Sequence, residues 1–146
     1  MKLIFNDNTE KNAILVTGEL MYVQGASRDT LTFVFDDTNS LDELDELFSE
    51  ERCEKITLIE DEQIDENGET VQQNQYIHKN YTIRAGLEKV LEKTDQKTED
   101  GADMYVNRLK VKMSQRTYEE NQIKYLLEEM TNTQLALVDL YEGGLE

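Results

Sequence analysis

The chain has 146 residues, with 15 lysines and arginines against 32 aspartates and glutamates, so its formal net charge is −17. This charge argues against direct binding to nucleic acid or to an anionic membrane, because both carry charge of the same sign. The single cysteine excludes an intrachain disulfide and a cysteine-rich zinc site. No apolar run approaches the roughly 20 residues of a transmembrane helix. We expect a cytosolic protein with a thin core and a charged exterior.

Short apolar runs predict strands in the first third of the chain. Residues 2–5 form the first strand, and residues 13–16 and 20–23 predict a hairpin that turns at residues 17–19. Residues 30–35 alternate threonine with large apolar side chains, which is typical of a strand on a pleated surface.

A helix is predicted to begin at Ser40. Ser40 and Glu43 form a capping box, in which each side chain accepts a hydrogen bond from a backbone N–H at the helix start. The apolar residues recur at spacings of three and four, which predicts one buried stripe: Leu41, Leu44, Leu47 and Phe48.

The middle of the chain predicts a second pair of strands. Residues 53–59 read as one strand, Asn67-Gly68 as a tight turn, and residues 71–83 as the partner strand. Residues 85–93 fit either a short helix or a continuing strand, since Gly86 weakens a helix start. Residues 94–103 are polar and predict an exposed loop.

A last strand and a helical segment complete the chain. Residues 104–113 predict a strand with one apolar face and one basic face, the latter formed by Arg108, Lys110 and Lys112. Thr117 and Glu120 form a second capping box. The order of elements predicts an α+β fold: a mostly antiparallel sheet with helices packed on one face (1–116) and a C-terminal helical segment (117–142).

The helical segment is predicted in two halves separated by a break at residues 131–133. An apolar stripe in the first half is interpreted as core: Ile123, Leu126, Leu127 and Met130. The second half is the better interaction candidate, because a short terminal helix is marginal unless it packs on something. Its apolar residues are Leu137, Val138 and Tyr141.

Residues that carry chemistry are few. His78 is the only histidine, and no neighbour in sequence is an evident partner to orient it as a general base. Cys53 lies between glutamates, which disfavour a thiolate, so a half-buried structural cysteine is the favoured interpretation. The acidic turns at 65–68 and 99–101 lack the first and last ligands of an EF-hand loop, so they are interpreted as turns. We expect no catalytic residue, cofactor or bound metal.

The acidic block is the one unusual feature. Residues 36–69 hold 15 acidic side chains and two basic ones, a net charge of −13. Six of these carboxylates follow Leu41 closely: Asp42, Glu43, Asp45, Glu46, Glu50 and Glu51. On a helix they would span about 15 Å, a charge density near that of duplex DNA, which carries one charge per about 1.7 Å. The block is either a solvated surface or a nucleic-acid mimic aimed at a basic protein groove.

Charge asymmetry suggests a further alternative. The predicted basic strand face and the acidic block allow either pairing within one molecule or head-to-tail contact between copies in a homo-oligomer.

Several segments together resemble a known group of proteins. Arg28-Asp29-Thr30-Leu31 leads into residues 32–35, and Leu41-Asp42-Glu43-Leu44 opens the helix that reaches Phe48-Ser49. Residues 56–59, 76–83 and 111–115 follow, the last running into a helix and an apolar terminus. This order, over residues 1–142, is similar to small structural proteins encoded in the tail and baseplate regions of phages and prophages of Gram-positive bacteria.

The resemblance implies a non-enzymatic structural or adaptor protein that docks with other tail proteins. It implies location in the host cytoplasm and assembly into a virion. This terminus lacks an obvious long coiled coil, and the acidic excess exceeds what a simple structural part needs. The alternative function is an acidic, nucleic-acid-mimicking inhibitor of a host defence nuclease, of the anti-CRISPR or anti-restriction type.

Overall fold

The computed structural model describes the backbone of residues 1–60, 63–64, 66–72 and 74–143 and the side chains of 1–60, 66–69 and 74–140. The chain divides into two units, Met1–Gln115 and Arg116–Glu146. The described residues of the first unit form ten strands and a helix: β1 (Lys2–Ile4), β2 (Glu10–Asn12), β3 (Leu15–Val23), β4 (Ala26–Asp36), α1 (Leu41–Leu47), β5 (Lys55–Ile59), β6 (Gln63–Ile64), β7 (Thr70–Gln72), β8 (Gln75–Lys79), β9 (Ile83–Lys97) and β10 (Asp103–Ser114). The second contains α2 (Tyr118–Gly143).

The strands of the first unit form two four-stranded sheets and a small hairpin. One sheet has the order β2-β1-β5-β8, the other has the order β3-β4-β10-β9, and β6 pairs with β7. Every pairing between these described strands is antiparallel. The predicted α+β class with mostly antiparallel strands is confirmed. The prediction of one sheet is wrong, because β1 pairs with β2 and β5 and so starts a sheet of its own.

One hydrophobic core joins both sheets and α1. The first sheet contributes Leu3 and Ile56, and the second contributes Phe33 and Val111, all fully buried. From α1 and the residue after it come Leu44 and Phe48, as the helical spacing predicted. Leu41 and Leu47 pack against this core and are partly buried, so the predicted stripe is confirmed.

Phe48 lies at the centre of an aromatic cluster. Its ring centroid is 5.1 Å from that of Phe5, 4.9 Å from that of Phe33 and 5.9 Å from that of Phe35. Phe5 follows β1, and the other two rings belong to β4. Edge-to-face and tilted contacts at these distances add to the burial of the rings. Phe48 therefore connects α1 with both sheets.

The first long hairpin differs from the prediction. Residues 15–23 form one continuous strand, and the turn is Gln24-Gly25, with φ of +48° and +79°. A two-residue hairpin loop with two positive φ values matches the twist of the strands it joins. Gly18, predicted to lie in the turn, pairs with Leu31 inside the ladder. Gln-Gly is a weaker turn signal than Asn-Gly, which is why the sequence pattern placed the turn too early.

The middle strands also differ in extent. Cys53 belongs to a short 3₁₀ turn, Arg52–Glu54, so β5 begins at Lys55. The predicted partner, 71–83, is divided among three strands, of which β8 pairs with β5. Residues 85–93 are strand, which settles that alternative, and β9 continues to Lys97 through the predicted loop. That end of β9 is exposed, so it shows no apolar alternation.

The predicted break in the C-terminal helix is absent. α2 is one helix of 26 residues, and its start has both halves of the predicted capping box. The Glu120 N–H donates to the Thr117 hydroxyl at 3.2 Å, and the Glu120 carboxylate accepts from the Thr117 N–H at 2.9 Å. The Thr131 and Thr133 hydroxyls donate to the carbonyls of Leu127 and Glu129, both at 3.0 Å. Their polar groups are satisfied within the helix instead of breaking it.

Removing the Phe48 ring should destabilise the first unit. We expect Phe48→Ala to lower the free energy of unfolding by about 3–5 kcal/mol, the range for large aromatic truncations in a core. Urea denaturation followed by circular dichroism measures the change. Tyr22→Ala removes an aromatic ring that is 77% exposed and should cost under about 0.5 kcal/mol. Equal losses in the two variants would contradict the central position of Phe48.

Candidate interaction surfaces

α1 presents four carboxylates to solvent because its opposite side is buried. The Ser40 hydroxyl accepts from the Glu43 N–H at 3.1 Å and fixes the start of the helix. Leu44, one turn in, is fully buried. The helical period therefore turns the acidic side chains outward, and all four are exposed: Asp42, Glu43, Asp45 and Glu46.

The acidic surface is less regular than one helix would make it. α1 ends at Leu47, so Glu50 and Glu51 are exposed but lie in the connection that follows. The prediction of six carboxylates along one helix is wrong, because Phe48 leaves the helical path to enter the core, with φ −87° and ψ 51°. The charge density estimated for a continuous helix therefore applies only to the first four.

Two arginines bind the C-terminal end of α1. The Arg84 guanidinium forms an ion pair with Asp45 at 2.7 Å and donates to the carbonyls of Asp45 and Phe48 at 3.1 and 3.0 Å. Arg52 donates to the Glu46 carbonyl at 2.9 Å and pairs with Asp7 at 2.8 Å. Cationic groups are favourable at this end of a helix because of its unpaired carbonyls. Asp45 is thus partly neutralised.

Asp7 has a carboxyl pKa well below its ordinary value. Hydrogen bonds from Thr9 and the Arg52 guanidinium lower its pKa to about 2. Within the acidic block, a hydrogen bond from the Thr38 hydroxyl is the main cause that lowers the pKa of Asp36. Other members of the predicted block lie outside the described residues: Asp61, Glu62 and Asp65.

The two residues considered for catalysis are placed in structural environments. Cys53 is fully buried, and burial raises the pKa of its thiol to about 12, so a thiolate is strongly disfavoured. His78 is partly buried, its ring meets that of Tyr81 edge to face at 5.7 Å, and burial lowers its pKa. Within the described residues, no three His, Cys, Asp or Glu side chains are grouped so as to hold a metal ion.

The acidic turns adopt turn geometry where they are described. Gly68 and Gly101 have φ of +77° and +79°, a conformation that glycine adopts without strain. Asp65, at the start of the first turn, lies outside the described residues.

The basic face of β10 is compensated within the molecule. Lys110 pairs with Glu92 at 2.7 Å, and Lys112 pairs with Glu19 at 3.6 Å. These acidic partners come from β9 and β3 of the same sheet. The face is therefore mixed in charge, which agrees with intramolecular pairing better than with contact between copies.

α2 carries the largest group of exposed apolar side chains. Six described side chains of its predicted stripe are 51–61% exposed: Ile123, Leu126, Leu127, Met130, Leu137 and Val138. Leu140, which was not part of the predicted stripe, is 73% exposed. The prediction that the first half of the stripe is core is wrong, since those side chains are as exposed as the second half. The Tyr141 side chain lies outside the described residues.

Two exposed apolar groups in the first unit were not predicted as interaction sites. Leu20 and Tyr22 are 69% and 77% exposed on β3, an edge strand of its sheet. Leu91 and Tyr105 are exposed on the end of the β9–β10 hairpin nearest its turn. In this part of the hairpin, before Arg108, β10 does not pair with β4. For the first group, a leucine and a tyrosine two residues apart near the end of a strand were the available signal.

No helix among the described residues combines the length and apolar character needed to cross a bilayer. Comparisons of the chain with protein-family models, curated proteins and solved structures found no match.

The lowered pKa of His78 gives a pH dependence with a defined sign. Because burial disfavours the charged ring, the unfolded chain takes up the proton first, near pH 6.5. Stability from this group is present above that pH and is lost as the pH falls through the unfolded and then the folded pKa. We expect unfolding free energy to fall more in the wild type than in His78→Gln between about pH 7.5 and pH 5. Carboxylates titrate in both proteins, so parallel denaturation curves would contradict the expectation.

Proposed function

We propose that this chain is a non-enzymatic structural or adaptor protein of a phage tail or baseplate, which acts by docking with other proteins. The observation that carries the proposal is the apolar face of α2. It extends along one unbroken helix on both sides of Thr133, and its described apolar side chains are more than half exposed.

The energetics of this face support docking. Full burial of one leucine, isoleucine or methionine side chain contributes about 1.5–3 kcal/mol. The six exposed residues of these types on this face therefore represent a large unrealised stabilisation, and extended apolar patches commonly mark interaction sites. Helices gain most of their stability in proteins by packing an apolar face. A binding partner would provide that packing.

The environments of Cys53 and His78 support a function without covalent chemistry. A fully buried thiol with a raised pKa is a poor nucleophile. The described contact of His78 is with an aromatic ring, and the cause of its lowered pKa is burial. Neither arrangement supplies the oriented donor and acceptor pair that acid–base catalysis uses.

The order of segments that resembles tail and baseplate proteins supplies the biological setting of the proposal. In that setting the protein is made in the host cytoplasm, binds other tail proteins and is carried into the virion. The proposal includes no cofactor, no membrane and no direct contact with nucleic acid.

Purified particles test this setting. We expect quantitative mass spectrometry of gradient-purified virions, from the phage or prophage that carries the gene, to find the chain at a constant ratio to the tail-tube protein. Leu126→Ser/Leu137→Ser should reduce its incorporation, because both side chains belong to the apolar face of α2. Leu20→Ser removes an equally exposed leucine from β3 and serves as control. Absence of the wild-type chain from both virions and tail intermediates would refute the proposal.

A second candidate is an acidic inhibitor that occupies the nucleic-acid groove of a host defence nuclease. The observation that favours it is the exposure of all six carboxylates between residues 42 and 51. Such binding would be driven by complementary charge and would accelerate association at low salt. The ion pair of Asp45 with Arg84 weakens this candidate relative to docking through α2.

Charge reversal discriminates the second candidate. If the chain is a mimic, Asp42→Lys/Glu43→Lys/Glu46→Lys should abolish inhibition of purified restriction and CRISPR nucleases while leaving the Asp45–Arg84 pair intact. The control, Glu66→Lys/Glu99→Lys/Asp100→Lys, makes the same change in net charge at two exposed turns. Inhibition should also weaken steeply with ionic strength. Equal effects of the two triple variants would exclude a specific role for α1.

A further inference from the structure

We propose that the occupant of the α2 face is the α2 helix of a second copy of this chain, packed parallel and in register. This inference rests on the proposed docking function and names the partner. Three features of α2 support this pairing: the spacing of its apolar residues, the positions of its charges and the polar layer in its middle.

The apolar residues of α2 follow a seven-residue repeat. Ile123, Met130 and Leu137 are seven residues apart, and Leu126, Thr133 and Leu140 form a second series offset by three. A repeat with alternating steps of three and four is the pattern of a coiled-coil seam, in which side chains of one helix insert between those of another. Because α2 continues without a break through residues 131–133, the residues of the repeat lie along one side of a single helix. A helical partner therefore fits this face better than a flat surface does.

Between Ile123 and Leu140, the charged side chains of α2 lie outside the seam that a second copy would contact. Lys124, Glu128 and Asp139 occupy positions of the repeat that point away from the seam. Glu129 flanks the seam, and in a parallel pair it faces Gln134 of the second copy, which is neutral. Glu120 precedes the seam and is engaged in the capping box. The helix is strongly acidic, yet no like-charged pair is brought across the seam between Ile123 and Leu140; Glu119, seven residues before Leu126, lies in the first turn outside this stretch.

The polar layer in the middle of the seam is complementary to itself. Thr133 lies on the seam, and Gln134 lies beside it. A glutamine amide donates hydrogen bonds, so Gln134 can donate to the Glu129 carboxylate of a second copy, which it faces in a parallel pair. The Thr133 hydroxyl already donates to the Glu129 carbonyl and keeps lone pairs to accept. Parallel, in-register packing places this layer against itself, and a single polar layer is a known determinant of register.

The apolar face is broader than the seam alone. Leu127 occupies a flanking position and is as exposed as the seam residues. A burial that includes flanking positions allows more than two helices around one axis. The proposed assembly is therefore a parallel homo-oligomer of two or more copies.

Sedimentation equilibrium of the full chain tests the association. We expect a mass that is an integral multiple, two or more, of 17.0 kDa. Met130→Lys/Leu137→Lys should weaken association by a factor of about 100 or more, because it places charges in an apolar seam. Tyr125→Lys/Leu135→Lys adds the same charge at equally exposed positions on the opposite side of α2 and should leave the mass unchanged. A monomeric wild-type chain, or equal effects of both double variants, would overturn the inference.

A strengthening variant guards against simple misfolding. Thr133→Leu replaces the polar seam residue by an apolar one, so it should tighten association several-fold while retaining helix content by circular dichroism. Added salt should also tighten association, because it screens repulsion between two strongly acidic chains. Weaker association in either measurement would count against a homotypic apolar seam.

Cross-linking tests the orientation. Thr133→Cys brings two thiols together only in parallel, in-register packing, so oxidation should give a disulfide-linked dimer, whereas Leu135→Cys should not. Cys53 is buried and does not compete. Failure of the Thr133→Cys link in an associating protein would overturn the parallel arrangement. Failure to self-associate, in a chain still found in virions, would refute this inference and leave the proposed function standing.

Discussion

The packing of Phe48 against three other phenylalanine rings is the interaction on which the first unit depends. Phe5 comes from the end of β1, and Phe33 and Phe35 come from β4, so one side chain joins α1 to both sheets. The strands on their own could form two separate ladders. Because Phe48 and Leu44 are buried between those ladders, α1 is fixed with its acidic side outward. The acidic surface is thus a consequence of the core.

The same short helix depends on charges supplied from elsewhere in the chain. Seven residues are too few to form a stable helix alone, and the last turn of α1 contains no basic residue. Arg84 from β9 and Arg52 from the 3₁₀ turn bind its final carbonyls. Each arginine also pairs with a carboxylate, Asp45 or Asp7. The negative charge is therefore partly offset by arginines at the C-terminal end of α1. On the outer side of the helix, the carboxylates of Asp42 and Glu43 are exposed to solvent.

Local signals in the sequence predicted local structure, and distant pairing decided the rest. Both capping boxes, the apolar stripe ending in Phe48 and the central strand β4 follow from side chains a few residues apart. The turn at Gln24-Gly25 was missed because its two positive φ values are stabilised by pairing along the whole of β3 and β4. The end of β9 was missed because it pairs with β10 in an exposed ladder. Threonines at 131 and 133 suggested a break, yet their hydroxyls bond back within α2.

The two units differ in how far their apolar side chains are buried. The first unit contains every buried apolar residue of the described chain, and no described buried polar side-chain atom lacks a hydrogen-bond partner. α2 has complete local capping at its start but no buried side chain among its described residues. Capping determines where a helix begins, whereas packing supplies most of its stability. The first unit therefore carries its own packing, whereas the apolar side chains of α2 have not gained the stabilisation that burial would give them.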